Sequence, residues 1–138
     1  MSFVWNKRYE TGVAIIDHQH QEIFLHTNRL LAATEMECRT EESLQMMEFL
    51  GNYVVQHFNM EERTMLGEGY PDYDAHVAEH LSFIEEYGRL LTLVKERNTN
   101  VTAVIIQRKV CDWLITHIMH TDIAMAVWLK KSEQQKAA

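Results

Sequence analysis

The residues best suited to chemistry in this 138-residue chain cluster between His57 and His80. His57 and Glu61 are four residues apart, and so are His76 and His80. Four residues on an α-helix turn ~400°, which stacks both side chains on one face. One helix therefore offers an imidazole and a carboxylate. The next, running back after a short Gly/Pro-containing break, offers two imidazoles. His20 lies early in the chain on a helical pattern, and His117 and Asp122 lie late on another. The set amounts to five His, one Glu and one Asp from four helices. Such a number suits two metal ions bridged by carboxylates inside a helical bundle, because one metal takes far fewer ligands.

Each piece alone is weak. A His four residues from a Glu on a helix is usually a surface pair. His76-Val77-Ala78-Glu79-His80 is not the zinc-protease motif, because Val77 rather than Glu follows the first His. The combination changes the odds. Five of the eight His can face one interior, where imidazoles and carboxylates without partners would be costly. Imidazole suits iron, zinc, copper and nickel, and carboxylate suits harder ions. Structural zinc usually takes four ligands and often cysteine. Zinc still competes for a mixed set of this kind, so ligand chemistry alone leaves the metal open.

The elements that must position these residues read as all-α. There is one proline, five glycines and no alternating Val/Ile/Thr strand pattern. Residues 1–16 form an arm with Phe3, Val4, Trp5, Tyr9 and Val13, bulky enough to pack along a bundle. A first helix is expected from about 18 to 37 with Asp17 as N-cap. Thr40 should cap the second, which carries Leu44, Met47, Leu50, Val54, His57 and Glu61 and stops around Gly67–Pro71. The third runs from Asp72–Asp74 to about Arg97, with Phe83, Tyr87, Leu90 and Val94 inward. Thr102 could cap the fourth, which reaches Leu129, and the polar tail Ser132–Ala138 should fray. Short connections between four long helices give an up-down-up-down four-helix bundle with an N-terminal arm, one domain over 1–138 with the bundle at about 17–131.

Composition narrows the partners. A 46% hydrophobic, 24% charged chain is ordinary for a globular protein, and a net charge of −7 argues against nucleic acid or an anionic membrane. No apolar run approaches the ~18 residues of a membrane span. The N-terminus lacks the apolar stretch of a signal peptide. Cys38 and Cys111, in no Cys-x-x-Cys arrangement, read as reduced thiols in a cytoplasmic protein. A monomer is expected.

At this point the chain resembles the hemerythrin family, in particular its single-domain bacterial members. The resemblance covers nearly the whole length: Trp5…Tyr9…Gly12-Val13, Ile16-Asp17-His18-Gln19-His20, His57-Phe58-Asn59-Met60-Glu61-Glu62, Gly69-Tyr70-Pro71, His76…His80, and Trp113-Leu114-Ile115-Thr116-His117 followed by Asp122. It implies a non-haem di-iron centre that binds O2 reversibly. One iron would take His76, His80 and His117, and the other His20 and His57. Glu61 and Asp122 would bridge them together with an oxo or hydroxo group from solvent. By that count one iron has six ligands and the other five, so a single position stays open for O2. Ile23, Phe58, Trp113 and Ile118 resemble the family's apolar O2-pocket positions.

The implied role is O2 storage or delivery to an oxygen-using client enzyme, with no catalytic residue. The alternative is O2 or redox sensing, or di-iron peroxidase-type detoxification. The paired Glu-x-x-His motifs of di-iron oxidases are absent. His18 and His26 lie off the ligand face and read as surface or rim residues, and His120 as at most a neighbour of the site. Glu62 and Glu79 sit ~100° around the helix from Glu61 and His80 and are expected to be solvated. One geometric conflict remains. His117 and Asp122 are five residues apart, which leaves them ~140° apart on a regular α-helix. If Asp122 bridges, the fourth helix needs an extra residue in one turn, as in a π-bulge, between about Trp113 and Asp122.

Overall fold

The computed structural model describes residues 3–35, 40–97 and 99–137, and within them every extended element is a helix. Helix α1 spans Ala14–Glu35, α2 Thr40–Glu68 and α3 Tyr73–Glu96. The fourth helix, 100–137, is an unbroken rod of mixed pitch: α-helical Asn100–Ile106, π-helical Gln107–Cys111, α-helical Asp112–Thr116, π-helical His117–Asp122 and α-helical Ile123–Ala137. Neighbours in sequence pack against one another, and the fourth helix closes on α1 and α3. The result is the expected up-down-up-down four-helix bundle.

The core follows from helical periodicity and falls into two apolar layers. Leu30, Leu50, Val54, Phe83, Leu90 and Leu114 belong to the larger. Ile16, Met65, Tyr70 and Met125 form the smaller. The candidate ligands lie between the layers on every helix: His20 between Ile16 and Ile23, Glu61 between Phe58 and Met65, and Asp122 between Ile118 and Met125. A polar slab is thus sealed at both ends by hydrocarbon, which is how a four-helix bundle keeps water from a site in its middle.

The arm packs as expected. Phe3 stacks on Phe24 with ring centroids 3.7 Å apart. Its backbone is clamped by the Asn28 amide, which accepts from Phe3 N–H at 2.6 Å and donates to its carbonyl at 2.7 Å. The 3-10 turn Lys7–Tyr9 packs against the π-helical turn His117–Asp122. Val4 is the exception and faces solvent.

Several boundaries differ from the sequence reading. Helix α1 starts at Ala14, so Asp17 is inside its first turn. Its carboxylate accepts from the Thr11 amide and hydroxyl and from the Gly12 amide, tying the arm back to the helix instead of capping it. Thr99 rather than Thr102 caps the fourth helix, accepting from Thr102 N–H at 3.3 Å. The Thr102 hydroxyl donates to the Arg97 carbonyl instead. Residues 132–137 continue the last helix, where a frayed tail was expected, and Ala138 lies outside the described residues. Cys38 and the proposed end of α1 at 37 lie outside the described residues, as does the side chain of Thr40. The end of α2 is as expected. Gly69 takes φ 73°, and the amides of Gly69 and Tyr70 bond back to Leu66 and Met65. That left-handed cap is one a glycine adopts without penalty.

Candidate metal centre

Each helix supplies its part of the site for a local reason. The four-residue spacings put His57 over Glu61 on α2 and His76 over His80 on α3. On the fourth helix the π-helical turn His117–Asp122 brings the ends of its five-residue step onto one face, so Asp122 turns inward with 0% exposure. The expected break in regular pitch is there, and a second π-helical turn, Gln107–Cys111, that the sequence did not suggest lies two turns earlier.

All seven sequence-derived residues meet in the polar slab, and none is more than 2% exposed. Their donor atoms fall into two overlapping groups, each with all atoms within 4.8 Å of one another. One group is His76, His80 and His117 with Glu61 and Asp122; the other is His20 and His57 with the same two carboxylates. Glu61 and Asp122 are shared. His20 Nε2 lies 2.8 Å from Asp122 Oδ2, while His76 and His117 Nε2 each lie 3.1 Å from Oδ1. His80 Nε2 lies 3.2 Å from Glu61 Oε1, and His57 Nε2 lies 3.4 Å from Oε2.

These contacts are close in distance but off hydrogen-bond geometry. All five Nε2 atoms and all four carboxylate oxygens are buried without a hydrogen-bond partner. Unmet buried polar atoms of this kind are rare because each is costly. Two adjoining shells of imidazole nitrogens and carboxylate oxygens, with no thiolate, fit divalent or trivalent transition metals. The opposite charges of rings and carboxylates also stabilise one another. Burial alone would lower His76, yet Asp122 and Glu61 raise it to about 9. His57 and His117 are likewise raised against burial, His57 by Glu61 and His117 by Asp122. Burial and mutual repulsion would raise Glu61, and burial Asp122, but the imidazoles hold both well below the usual carboxylate range.

Beside this cluster sit the four apolar residues singled out from sequence. Phe58 stacks on His80 with centroids 3.8 Å apart and planes 6° apart. Trp113 stacks on His117 at 4.5 Å and 14°. Ile23 and Ile118 are fully buried in the larger core layer. Trp113 is only partly buried, so one side of the wall reaches the surface.

Three expectations are corrected. Glu62 and Glu79 are not merely solvated. Glu62 Oε2 accepts from His80 Nδ1 at 2.8 Å, and Glu79 Oε1 accepts from His117 Nδ1 at 3.0 Å. A residue ~100° around its own helix cannot face the metal, but from there it reaches the outer nitrogen of a ring on the next helix. Gln19, which the sequence reading passed over, does the same for His57 Nδ1 at 2.6 Å. Thr121, also missed, donates its hydroxyl to both Glu79 oxygens at 2.8 and 2.9 Å. The available signal was adjacency, since Gln19, Glu62 and Glu79 each directly flank a ligand. His26 is buried rather than a rim residue, against the rings of Phe49 and Tyr53. His18 and His120 are exposed, as expected.

The chain is similar to known proteins over most of its length. A family model described as the hemerythrin HHE cation binding domain matches residues 11–128. The bacteriohemerythrin of Methylococcus capsulatus is 35% identical over 116 residues, 83% of this chain and 86% of that one. The bacteriohemerythrin of Stenotrophomonas maltophilia is 31% identical over 137 residues, 97% of this chain and 86% of its own. A crystal structure of a hemerythrin mutant superposes with a TM-score of 0.77 at 27% identity, covering 91% of this chain and 96% of that one.

Proposed function

The chain belongs to the hemerythrin family, known for reversible O2 binding at a di-iron centre, and from that premise we propose the residue assignments and role that follow. His76, His80 and His117 would hold one iron and His20 and His57 the other, with Glu61 and Asp122 common to both and a solvent-derived oxo or hydroxo group completing the centre. The observation that carries this reading is the pair of overlapping donor groups with both carboxylates in common. When bound, the iron pair supplies the electrons and the open coordination position that O2 needs.

The protein's own contribution is shape, charge and dryness. Two carboxylates offset part of the charge of two cations, which keeps the buried cluster tolerable. Three imidazoles held by a hydrogen bond at Nδ1 present Nε2 as a lone pair, the form a metal requires. Ile23, Phe58, Trp113 and Ile118 form the wall of the O2 pocket, where hydrocarbon excludes water and disfavours the departure of charged oxygen species. None of these residues is a proton donor or nucleophile for a substrate, which favours a carrier over an enzyme. The chain acts as one hemerythrin-like domain that stores O2 or delivers it to an oxygen-using client enzyme in the cytoplasm, as a monomer. No helix among the described residues is long and apolar enough to cross a membrane.

Metal analysis and O2 titration test this reading. Protein expressed with ample iron should contain about two irons per chain, on the arithmetic of two donor groups. Its reduced form should gain a visible absorption on adding O2 and lose it on removing O2. One iron per chain, a preference for zinc, or an irreversible colour change would overturn the proposal.

A further inference from the structure

The five imidazoles of the cluster are not supported equally from behind. Gln19 on α1 holds His57 on α2, Glu62 on α2 holds His80 on α3, and Glu79 on α3 holds His117 on the fourth helix. Each helix steadies the ring of the next. The chain of support ends there: Nδ1 of His20 and of His76 are buried with no partner. The supports also differ in charge. The group His76, His80 and His117 is backed by two carboxylates, and the group His20 and His57 by one neutral amide. His80 and His117 are pinned twice over, because the same two rings carry the Phe58 and Trp113 stacks. Thr121, inside the π-helical turn, fixes Glu79 in turn.

We propose that Glu62 and Glu79 are positioning residues that widen the difference between the three-His and two-His metal positions. A carboxylate that accepts from Nδ1–H pushes electron density toward Nε2 and raises the basicity of the ring as a ligand. The three-His position therefore binds its metal more tightly and favours the higher oxidation state there. Gln19 orients His57 without adding that charge, so the two-His position, the one with room for O2, holds its metal less firmly and is the more easily reduced. Glu62 and Glu79 have side chains 27% and 45% exposed. Solvent damps their charge, and the expected effect per residue is the low end, ~10-fold in metal affinity, of what such supports contribute. This inference rests on the di-iron reading above.

The test uses Glu62→Gln and Glu79→Gln, because glutamine still accepts a hydrogen bond and removes only the charge. A ferrous chelator should strip the wild-type protein in two phases of about one iron each. Both variants should speed the slow phase ~10-fold and leave the fast phase alone. Gln19→Glu should slow the fast phase and bring the two together. Thr121→Val, which keeps the charge but frees Glu79, should have a smaller effect than Glu79→Gln. The potentials of the two one-electron steps should converge in the Glu-to-Gln variants.

One result would overturn the inference while leaving the iron reading intact: a two-iron protein whose phases and potentials do not respond to Glu62→Gln and Glu79→Gln, or whose two phases respond equally. A wild-type chain that takes up no iron would sink the di-iron reading instead, and with it the claim of unequal positions.

Discussion

Removing the metal should cost this fold a large part of its stability, and the cost can be worked from the polar slab. Five Nε2 atoms and four carboxylate oxygens are buried without hydrogen-bond partners. A buried polar atom left unmet costs about 1–3 kcal/mol. The metal-free protein recovers part of this through the mutual attraction of rings and carboxylates, which raises His76 and depresses Asp122. If about half the atoms are met that way, the low end of the range leaves ~4–5 kcal/mol against folding. A domain of this size has roughly 5–15 kcal/mol in all. At about 3–4 °C per kcal/mol, the melting temperature should fall by roughly 10–20 °C on chelation. Helical circular dichroism at 222 nm, followed through heat and urea with and without a strong iron chelator, measures this directly. The loss should also be local. Amide exchange should quicken around His57–Glu61, His76–His80 and His117–Asp122, while the far layer around Leu30, Leu50 and Leu90 stays protected. A metal-free protein that melts within a few degrees of the loaded one, with exchange unchanged in the slab, would refute the reasoning. The cluster would then be stable in its own right and need no cation.

The remaining predictions probe the wall, the core and a cap. Trp113→Ala should leave iron content intact while the reduced protein oxidises faster in air, since the pocket wall opens to water. Because Trp113 is only partly buried, the stability loss should fall below the ~3–5 kcal/mol of a fully buried site; an unchanged oxidation rate would reduce Trp113 to core packing. Burial, with Asp112 beside it, pushes the Cys111 thiol up from 9.0 to about 11. The folded value is the higher one, so the stability Cys111 contributes is fully present below pH 9 and is lost as pH rises toward 11. Urea melts across that window should flatten in Cys111→Ala, and a decline of the same slope in both proteins would contradict this. Thr99→Ala removes the cap of the fourth helix and should cost ~1 kcal/mol by urea unfolding. Glu61→Gln should abolish loading of at least one iron, whereas Glu62→Gln should retain both. The reverse pattern would mean the helical phase of α2 is wrong.

Much of this protein was legible because its signals are local. Helix periodicity is set by the 3.6-residue turn, so the inward positions of α2 and α3 followed from spacing, and His57–Glu61 and His76–His80 could be placed together without coordinates. Even the π-helical turn was legible. Five residues from His117 to Asp122 cannot share a face at regular pitch, so the family resemblance, which makes Asp122 a bridging ligand, demanded an extra residue there. Asp17 shows the opposite case. A carboxylate near a helix start reads as a cap, but whether it bonds forward to its own helix or back to Thr11 and Gly12 depends on where the arm lies. Thr99 and Thr102 are alike in sequence, and only the backbone path through Arg97 decides which one caps.

The supports behind the rings belong wholly to the tertiary structure. From sequence, Glu62 and Glu79 are acids turned away from the metal face of their own helices, and that reading of their phase is correct. What it cannot contain is the neighbouring helix. The bundle sets α2 against α3 and α3 against the fourth helix at a distance where an outward-leaning carboxylate meets the Nδ1 of another helix's imidazole. The same holds for His26, whose burial comes from Phe49 and Tyr53 on α2. On α2 and α3 the sequence by itself determined which core and ligand residues turn inward, because at regular pitch that depends only on turn angle. The tertiary structure decided which side chains touch across helices, because that depends on how far apart and how rotated the packed rods lie.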